Sequence, residues 1–388
     1  MEMKILIIRN YPNYMNITNA TYNIQELGLA SALVRAGNIC DIVFWTNNEE
    51  KKITYNVPNT NRKLTIYYRR ARNILKNAIY DIDDLIDKYD IIQTCEYNQL
   101  QSIIYAKKYP NKLVVYHGQY YGKENKKYNI WCKLIDKIAI PVYKKMNTKF
   151  ITKSKLSKDF LVQKGIMEKN VYALGVGINK EALIVQNDEE NFKIAKIAND
   201  LDGRFNVLYV GEYMPRRHID FIGDVIKRVN EKGYEVRLVT IGKTNNKYAD
   251  KVKKYFDKNG ISNYIYHIEK IEQKYLSKIY KKCSFFIFPS TYEIFGMVLL
   301  EAMYFELPVL TVYNGGSSML INNNTNGIIL DSLDREKWSN KIIELINNKN
   351  TMEKIGENAK NTITKEFTWD ALVPNFVDVY KSLKRERK

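Results

Sequence analysis

The feature that most constrains the fold is a repeated alternation of short apolar runs with longer amphipathic segments. In the N-terminal half, the runs KILII at 4–8, CDIVFW at 40–45 and LVVYH at 113–117 have the length of buried strands. The segment QELGLASALVRAG at 25–37 has apolar residues at helical spacing and ends on a glycine, the preferred residue after a helix. Strands that alternate with helices in this way predict an α/β protein with parallel sheets.

A second series of the same kind lies in the C-terminal half. FNVLYVGEY at 205–213, EVRLVTIGK at 235–243 and CSFFIFPS at 283–290 are predicted strands, and helical patterns separate them. Because 388 residues are many for a single core, we expect two domains. Parallel α/β sheets bind ligands beside the carboxyl ends of their strands, so two such domains would hold a ligand in the crevice between them.

Composition narrows the classes of protein. The formal net charge of +18 favours acidic partners such as phosphorylated small molecules, anionic lipid or nucleic acid, although a lysine-rich coding bias of the source would give the same charge. No stretch approaches the roughly 18 apolar residues of a membrane-spanning helix, and the first apolar run is too short for a secretory signal. Three histidines and four scattered cysteines argue against a metal site. We expect a cytoplasmic protein without a metal or other cofactor.

The segment PSTYEIFGMVLLEAMYFELPV at 289–309 is almost wholly apolar but contains Glu293 and Glu301. A carboxylate in such a helix is costly unless it is paired, so Glu301 forms a salt bridge or accepts hydrogen bonds from ligand hydroxyls. Eight residues of helix span about 12 Å, which is too long for an acid/base pair but suits two ends of one elongated ligand. The helix start between the two acids, where Gly296 permits close approach, is an anion site. The order of a carboxylate, a phosphate site and a second carboxylate along this segment fits a ligand made of a sugar, a diphosphate and a ribose.

This segment resembles the E-x7-E signature of the retaining GT-B glycosyltransferases of family 4 (glycosyl transferases group 1). The resemblance extends along the chain through VVYHG at 114–118, ALGVGIN at 173–179, GEYMPRRHID at 211–220 and FTWDALVPNFVDVYKSL at 367–383. It implies two Rossmann-like domains facing a central cleft, with a C-terminal helix that crosses back to the N-terminal domain. The implied parts are an acceptor-binding domain at 1–177, a nucleotide-sugar-binding domain at 178–366, and a crossover helix with a basic tail at 367–388.

The resemblance also assigns roles to individual residues. Glu293 would contact the donor sugar and Glu301 the donor ribose. His117, which as a lone histidine could equally be structural, would bind the donor sugar or stabilise developing charge, so we group it with Glu293 as catalytic. The other implied donor-binding residues are Gly211, the cations Arg216 and Arg217, and the amides of Phe295, Gly296 and Met297. The two arginines could instead be ordinary surface charge.

Several positions depart from the family pattern, among them three single residues. Glu212 stands where arginine is usual, Ile294 where glycine is usual, and Met319 where an acid commonly follows the glycine pair. These differences leave the base and the sugar of the donor undetermined.

The lysine-rich segment at 122–158 has two interpretations. Its apolar residues at helical spacing are Ile130, Trp131, Leu134, Ile135 and Ile138. One interpretation is a helix that turns these residues to the core and its lysines to solvent. The other is docking to an anionic membrane, where a lipid-linked acceptor would lie.

The sequence therefore predicts a retaining, metal-independent glycosyltransferase. It would move a sugar from a nucleotide-sugar to a hydroxyl of a glycan or lipid-linked acceptor in cell-surface polysaccharide synthesis, in the cytoplasm or at the inner face of the membrane. The alternatives are an epimerase or phosphorylase on the same fold, or a sugar-binding relative without activity. A nucleic-acid-binding protein is suggested only by the charge, and no nucleic-acid module is recognisable, so we expect no nucleic-acid partner.

Overall fold

Two compact units make up the chain in the computed structural model. Unit 1 comprises Met1–Gly177 together with Phe367–Lys388, and unit 2 comprises Ile178–Glu366. The sequence-based division used the same limits, and the acceptor- and donor-binding roles given to its parts stay predictions. The residues that the structure describes are 2–17, 24–123, 125–183 and 191–385.

Unit 1 contains an eight-stranded sheet whose strands all run parallel except at one edge. The strands of unit 1 are β1 (Lys4–Ile8), β2 (Ile39–Trp45), β3 (Lys51–Asn56), β4 (Lys63–Arg69), β5 (Arg72–Ile74), β6 (Asn77–Ile79), β7 (Ile91–Cys95), β8 (Leu113–His117), β9 (Lys149–Thr152) and β10 (Val171–Ala173), of which β5 and β6 form a separate antiparallel pair. Its first five helices are α1 (Gln25–Arg35), α2 (Asp83–Ile86), α3 (Leu100–Lys108), α4 (Lys126–Lys145) and α5 (Lys155–Gln163). The order across the main sheet is β10-β9-β8-β7-β1-β2-β4-β3.

The central strand β1 is apolar because it is covered on both faces. Ile5, Leu6 and Ile8 are completely buried, as expected for an interior strand of a parallel sheet. After α1, Gly37 adopts a left-handed φ of 87°, which confirms the predicted helix end. The antiparallel pair β3–β4 was not predicted. The edge strand β3 has no buried residue, and β4 beside it is buried on one face only, so neither shows the continuous apolar run of an interior strand.

Unit 2 contains a six-stranded parallel sheet of order β13-β12-β11-β14-β15-β16. Its strands are β11 (Phe205–Val210), β12 (Val236–Ile241), β13 (Ile265–Ile268), β14 (Phe285–Phe288), β15 (Val309–Val312) and β16 (Ile328–Leu330). Its helices are α6 (Phe192–Leu201), α7 (Ile219–Glu231), α8 (Lys247–Lys258), α9 (Gln273–Tyr280), α10 (Met297–Tyr304), α11 (Ser317–Leu320), α12 (Arg335–Asn347) and α13 (Lys349–Glu366). Two parallel-sheet units confirm the predicted α/β class.

The last helix, α14 (Trp369–Arg385), belongs to unit 1 although it follows unit 2 in the chain. Its Trp369 is buried against two glycines: a Cβ added at Gly28 or Gly177 would lie 2.3 or 2.5 Å from the indole ring. The hydroxyl of Tyr380 donates to Gln93 Oε1 at 2.7 Å. The helix therefore returns to the N-terminal unit as predicted, and residues 386–388 of the expected basic tail lie outside the described part.

Within the described residues, no helix is both long enough and apolar enough to cross a bilayer.

Candidate functional site

The predicted anion site lies where β14 ends and α10 begins. Gly296 caps α10 with a left-handed φ of 76°, and the helix begins at Met297, within two residues of the predicted start. The Leu299 amide closes the first turn onto the Gly296 carbonyl at 2.8 Å. The amides at the very start of a helix have no carbonyl partner inside it and carry the positive end of its dipole, so they favour an anion. The structure thus places Phe295, Gly296 and Met297 at the helix start.

The glycine pair Gly315–Gly316, which follows β15, packs against the backbone of the loop before α10. The Gly315 amide donates to the Glu293 carbonyl at 3.0 Å. A Cβ at Gly316 would lie 1.9 Å from the carbonyl oxygen of Phe295, and a Cβ at Gly315 would lie 2.3 Å from that of Glu293. These distances are too short for any real side chain. The two glycines therefore let the backbones of the two loops touch, and they fix the position of the anion site.

Substitution of Gly316 by alanine is expected to disturb both folding and donor binding. The added methyl must push the Phe295 carbonyl away, which should lower the free energy of unfolding by about 1–3 kcal/mol and displace the amides of the helix start. The measurement is urea unfolding together with the thermal shift produced by a bound nucleotide-sugar.

Gly356→Ala is the matched control, because its Cβ would lie 2.1 Å from the Glu306 carbonyl, outside the Glu293–Met297 segment. This control should lose stability but keep the ligand-induced thermal shift. An undiminished shift in Gly316→Ala would contradict the supporting role of the glycine pair.

Glu293 is held by an arginine from the loop that follows β11. Arg216 Nη1 donates to Glu293 Oε2 at 2.7 Å, to the Tyr292 carbonyl at 2.6 Å and to Ser290 Oγ at 3.2 Å. The carboxylate is 16% exposed, so it is ordered but reachable. The structure therefore brings Arg216 and Glu293 together, although nothing in their separate sequence motifs indicated that they pair.

Arg217 lies beside the same carboxylate and is more enclosed. Its Nη2 is 4.0 Å from Glu293 Oε2, and its Nε is buried without a hydrogen-bond partner among the described residues. Burial acts to lower the pKa of the guanidinium, but the interactions with Tyr209 and Glu293 raise it, so the group keeps its charge. Gly211 makes room for this side chain, since a Cβ there would meet Arg217 Nη1 at 1.9 Å. A buried cation with an unused donor suits an incoming anionic oxygen.

Glu301 lies in the second turn of α10 and is 6% exposed. Its carboxylate accepts hydrogen bonds from Gln273 Nε2 at 3.0 Å and from the Tyr280 hydroxyl at 3.3 Å. Burial raises the pKa of Glu301 to about 7, against a partial lowering by these two hydrogen bonds. Burial and the charge of Glu301 together raise the pKa of Tyr280, which keeps its hydroxyl a donor.

The salt-bridge interpretation of Glu301 is wrong for the described part of the chain. No lysine or arginine there pairs with this carboxylate. The two hydrogen bonds from Gln273 and Tyr280 only partly offset the cost of burying the Glu301 charge. Additional hydroxyl donors would stabilise the ionised form of this carboxyl. This is the property expected of a group that receives ligand hydroxyls.

His117 lies at the end of β8 in unit 1, whereas the other predicted site residues all lie in unit 2. Its Nδ1 is 2.5 Å from Glu96 Oε2, and its ring stacks on Phe160 with centroids 5.5 Å apart. Nε2 is buried and has no hydrogen-bond partner among the described residues. Burial acts to raise the pKa of Glu96, but the interaction and hydrogen bond with His117 lower it overall. The pair fixes the orientation of the ring, and a role of His117 in ligand binding stays a prediction.

The residues that depart from the family pattern lie around the same loops. Glu212 is exposed and accepts a hydrogen bond from Asn246 Nδ2 at 3.4 Å. Ile294 and Met319 are half-buried, in the anion-site loop and in α11. In the described part of the chain, no cluster of three or more histidine, cysteine or acidic side chains could hold a metal ion. A metal-free reaction stays a prediction.

The candidate site in unit 2 combines three kinds of group, namely carboxylates, backbone amides at a helix start and a guanidinium. Two carboxylates stand on either side of a helix start, and Arg217 lies next to the first of them. This arrangement can bind a ligand with an anionic centre and hydroxyl groups at both ends.

The family comparison covers the part of the chain that contains this candidate site. The model of the family described as glycosyl transferases group 1 matches residues 190–362, which include Arg217, Glu293 and Glu301. An uncharacterized glycosyltransferase of Methanocaldococcus jannaschii is 30% identical over 210 residues, covering 53% of this chain and 52% of that protein. The capsular polysaccharide biosynthesis glycosyltransferase CapM of Staphylococcus aureus is 26% identical over 262 residues, covering 65% of each. The chain thus spans about half to two thirds of the length of these curated relatives.

Solved structures show the fold over nearly the whole chain. Anabaena HepE in complex with UDP-glucose superposes with a TM-score of 0.71 at 14% identity, covering 98% of this chain and 100% of that one. Sucrose-phosphate synthase from Thermosynechococcus elongatus gives a TM-score of 0.70 at 16% identity, covering 99% and 100%. Both comparisons concern the fold alone. Residues 190–362 of the chain are therefore similar to the glycosyl transferases group 1 family, and the fold is that of the GT-B enzymes.

Proposed function

We propose that this protein is a retaining, metal-independent glycosyltransferase that uses a nucleotide-sugar donor. The observation that carries the proposal is the helix start of α10, which stands in the chain between Glu293, bound by Arg216, and the buried Glu301. A diphosphate at the helix start would place a sugar near Glu293 and a ribose near Glu301. HepE, a protein of the same fold, was solved with UDP-glucose bound, which supports a nucleotide-sugar as the donor.

The proposed reaction breaks the bond between the anomeric carbon and the donor diphosphate. Arg217 and the amides at the start of α10 would stabilise the negative charge that develops on the leaving diphosphate. The acceptor hydroxyl would attack the anomeric carbon on the same face, and its proton would pass to the leaving phosphate oxygen. His117, held by Glu96, would contact the donor sugar through Nε2.

The acceptor is proposed to be a glycan or a lipid-linked saccharide. CapM of Staphylococcus aureus is named for capsular polysaccharide biosynthesis, which supports a role in cell-surface polysaccharide synthesis. A lipid-linked acceptor would bring the protein to the inner face of an anionic membrane.

A panel of nucleotide-sugars tests the donor site. At least one should raise the melting temperature of the wild type and be hydrolysed slowly without acceptor, since a donor bound at the reacting geometry is exposed to water. Glu293→Ala should lose the response to the sugar but keep a response to the free nucleotide diphosphate. Glu301→Ala should weaken both responses, because the ribose is common to both ligands.

Failure of every nucleotide-sugar to stabilise the wild type, or equal responses of wild type and both variants, would contradict the proposal. The same assay separates the alternatives. A phosphorylase would require inorganic phosphate, an epimerase would return an isomerised donor, and a relative without activity would bind a nucleotide-sugar but leave it intact.

A further inference from the structure

The outer face of α4 in unit 1 carries an unusual exposed apolar surface. Ile130 is 60% exposed, and Leu134 and Ile138 are each 58% exposed. At 3.6 residues per turn these three residues form one stripe along the helix, and exposed Pro141 continues it. We call these four residues the α4 ridge. It extends over about 17 Å at 1.5 Å per residue.

The opposite face of α4 already supplies the contact with unit 1. Its buried residues are Cys132, Ile135, Ala139 and Tyr143, and the Tyr143 hydroxyl donates to the Tyr97 carbonyl at 2.6 Å. The interpretation that turned all the apolar residues of this segment to the core is therefore wrong. Ile135 is in the core, but the α4 ridge is a second apolar face that nothing in the described part of the chain covers.

Positive charge borders the ridge. The helix has six lysines and one acid, and the lysines lie along one side of the ridge and at both its ends. The exposed lysines are Lys126, Lys127, Lys133, Lys137, Lys144 and Lys145. The single acid, Asp136, is turned away, because it pairs with Lys164 and accepts a hydrogen bond from the Tyr97 hydroxyl at 2.8 Å. The exposed charged side chains of α4 are thus all lysines.

We propose that the α4 ridge and its lysines dock this protein on an anionic lipid bilayer. An apolar stripe bordered by lysines can insert into the acyl boundary while the ammonium groups meet lipid phosphates. A nucleic acid would use the lysines but would leave the apolar stripe in water. A second copy of the chain would cover the stripe but would bring two lysine borders together, which is repulsive. The bilayer alone satisfies both features.

This inference deepens the acceptor part of the proposed function, and its test is independent of donor chemistry. The full chain is sedimented with vesicles of phosphatidylcholine alone or mixed with phosphatidylglycerol, at about 0.05 M and about 0.5 M salt. We expect at least about fivefold more binding to the anionic vesicles at low salt, and a loss of most of that preference at high salt.

Two variants separate the contribution of the apolar residues to vesicle binding from that of the lysines. Leu134→Glu with Ile138→Glu should lower vesicle binding about tenfold or more, because it removes apolar insertion and adds negative charge. Lys133→Gln with Lys137→Gln should lower binding to anionic vesicles but not the weak binding to phosphatidylcholine. Leu75→Glu is the matched control, since Leu75 is 71% exposed in the same unit and should bind as the wild type does.

The outcomes separate this inference from the donor site. Variants of the α4 ridge should keep the thermal shift with a nucleotide-sugar, so a loss of that shift would indicate misfolding and not a docking defect. Absence of wild-type binding to anionic vesicles at low salt would overturn the inference. So would equal binding by the Leu134→Glu, Ile138→Glu variant, or a wild-type dimer that this variant converts to a monomer.

Discussion

Replacement of Arg217 by alanine is expected to weaken nucleotide-sugar binding by about 100-fold. The guanidinium is half-buried beside Glu293 and has a buried Nε without a partner among the described residues, so we expect it to meet an anionic oxygen. Charge-assisted hydrogen bonds of this kind are worth about 1.5–3 kcal/mol each, and 1.4 kcal/mol corresponds to a tenfold change in affinity. Calorimetric titration with the donor that stabilises the wild type measures the loss.

Arg217→Lys and Arg228→Ala are the controls for this prediction. Lysine keeps the charge but not the two-pronged geometry, so we expect a loss of about tenfold. Arg228 is an exposed arginine on α7, and its removal should leave affinity unchanged. Wild-type affinity in a folded Arg217→Ala variant would show that the diphosphate is bound elsewhere.

Replacement of Glu301 by glutamine is expected to change stability and donor binding in opposite directions. The buried carboxyl ionises near pH 4.5 in the unfolded chain and near about 7 in the folded protein. Folding therefore opposes its ionisation, and the wild type loses stability as the pH rises from about 4.5 to about 7. The shift corresponds to about 3 kcal/mol at most.

Below about pH 4.5 the carboxyl is protonated in both states, so wild type and Glu301→Gln should unfold at similar urea concentrations. Above about pH 7 the variant should be more stable, because glutamine carries no buried charge and can keep the contacts with Gln273 and Tyr280. A difference in unfolding free energy that does not depend on pH would contradict this account of Glu301.

Donor binding should respond the other way. An ionised carboxylate is the stronger acceptor for ribose hydroxyls, so wild-type affinity should rise as the pH passes through about 7. Glu301→Gln should bind the donor about 10- to 100-fold more weakly above that pH, without the pH dependence. Stability gained where binding is lost is the pattern of a residue kept for its ligand and not for the fold.

Much of the fold could be predicted because single segments determine it. The apolar runs of β1 and β11 are continuous, as interior parallel strands require, and the left-handed Gly37 ends α1 where the pattern stops. The β3–β4 pair escaped prediction because an edge strand has one solvent face and only a weak apolar signal. The one sequence signal of this pair is the turn region at Val57–Pro58, which joins β3 and β4.

The candidate site was predicted less completely, since its partners come from distant parts of the sequence. Glu293 and Glu301 were visible as acids in an apolar segment. Gln273 and Tyr280, which hold Glu301, lie on a different helix, and no motif marks them. Glu96 precedes His117 by 21 residues, and only the adjacency of β7 and β8 brings the two together.

The α4 segment shows a limit of periodicity itself. Apolar residues that recur at helical spacing indicate a helix, but a helix with two apolar stripes gives nearly the same pattern as one with a single broad stripe. Ile135 and Leu134 are neighbours in sequence and about 100° apart around the helix axis, and yet one is buried and the other exposed. Only the packing of Cys132 and Tyr143 on unit 1 decides which stripe faces inward.

The most direct test of the central claim is a crystal structure with the nucleotide-sugar that gives the largest thermal shift. The claim predicts diphosphate oxygens within about 3 Å of the amides at Gly296–Met297 and of the Arg217 guanidinium. It also predicts ribose hydroxyls on Glu301 and the sugar beside Glu293. A donor bound with its diphosphate away from the start of α10, or with its ribose away from Glu301, would contradict the claim.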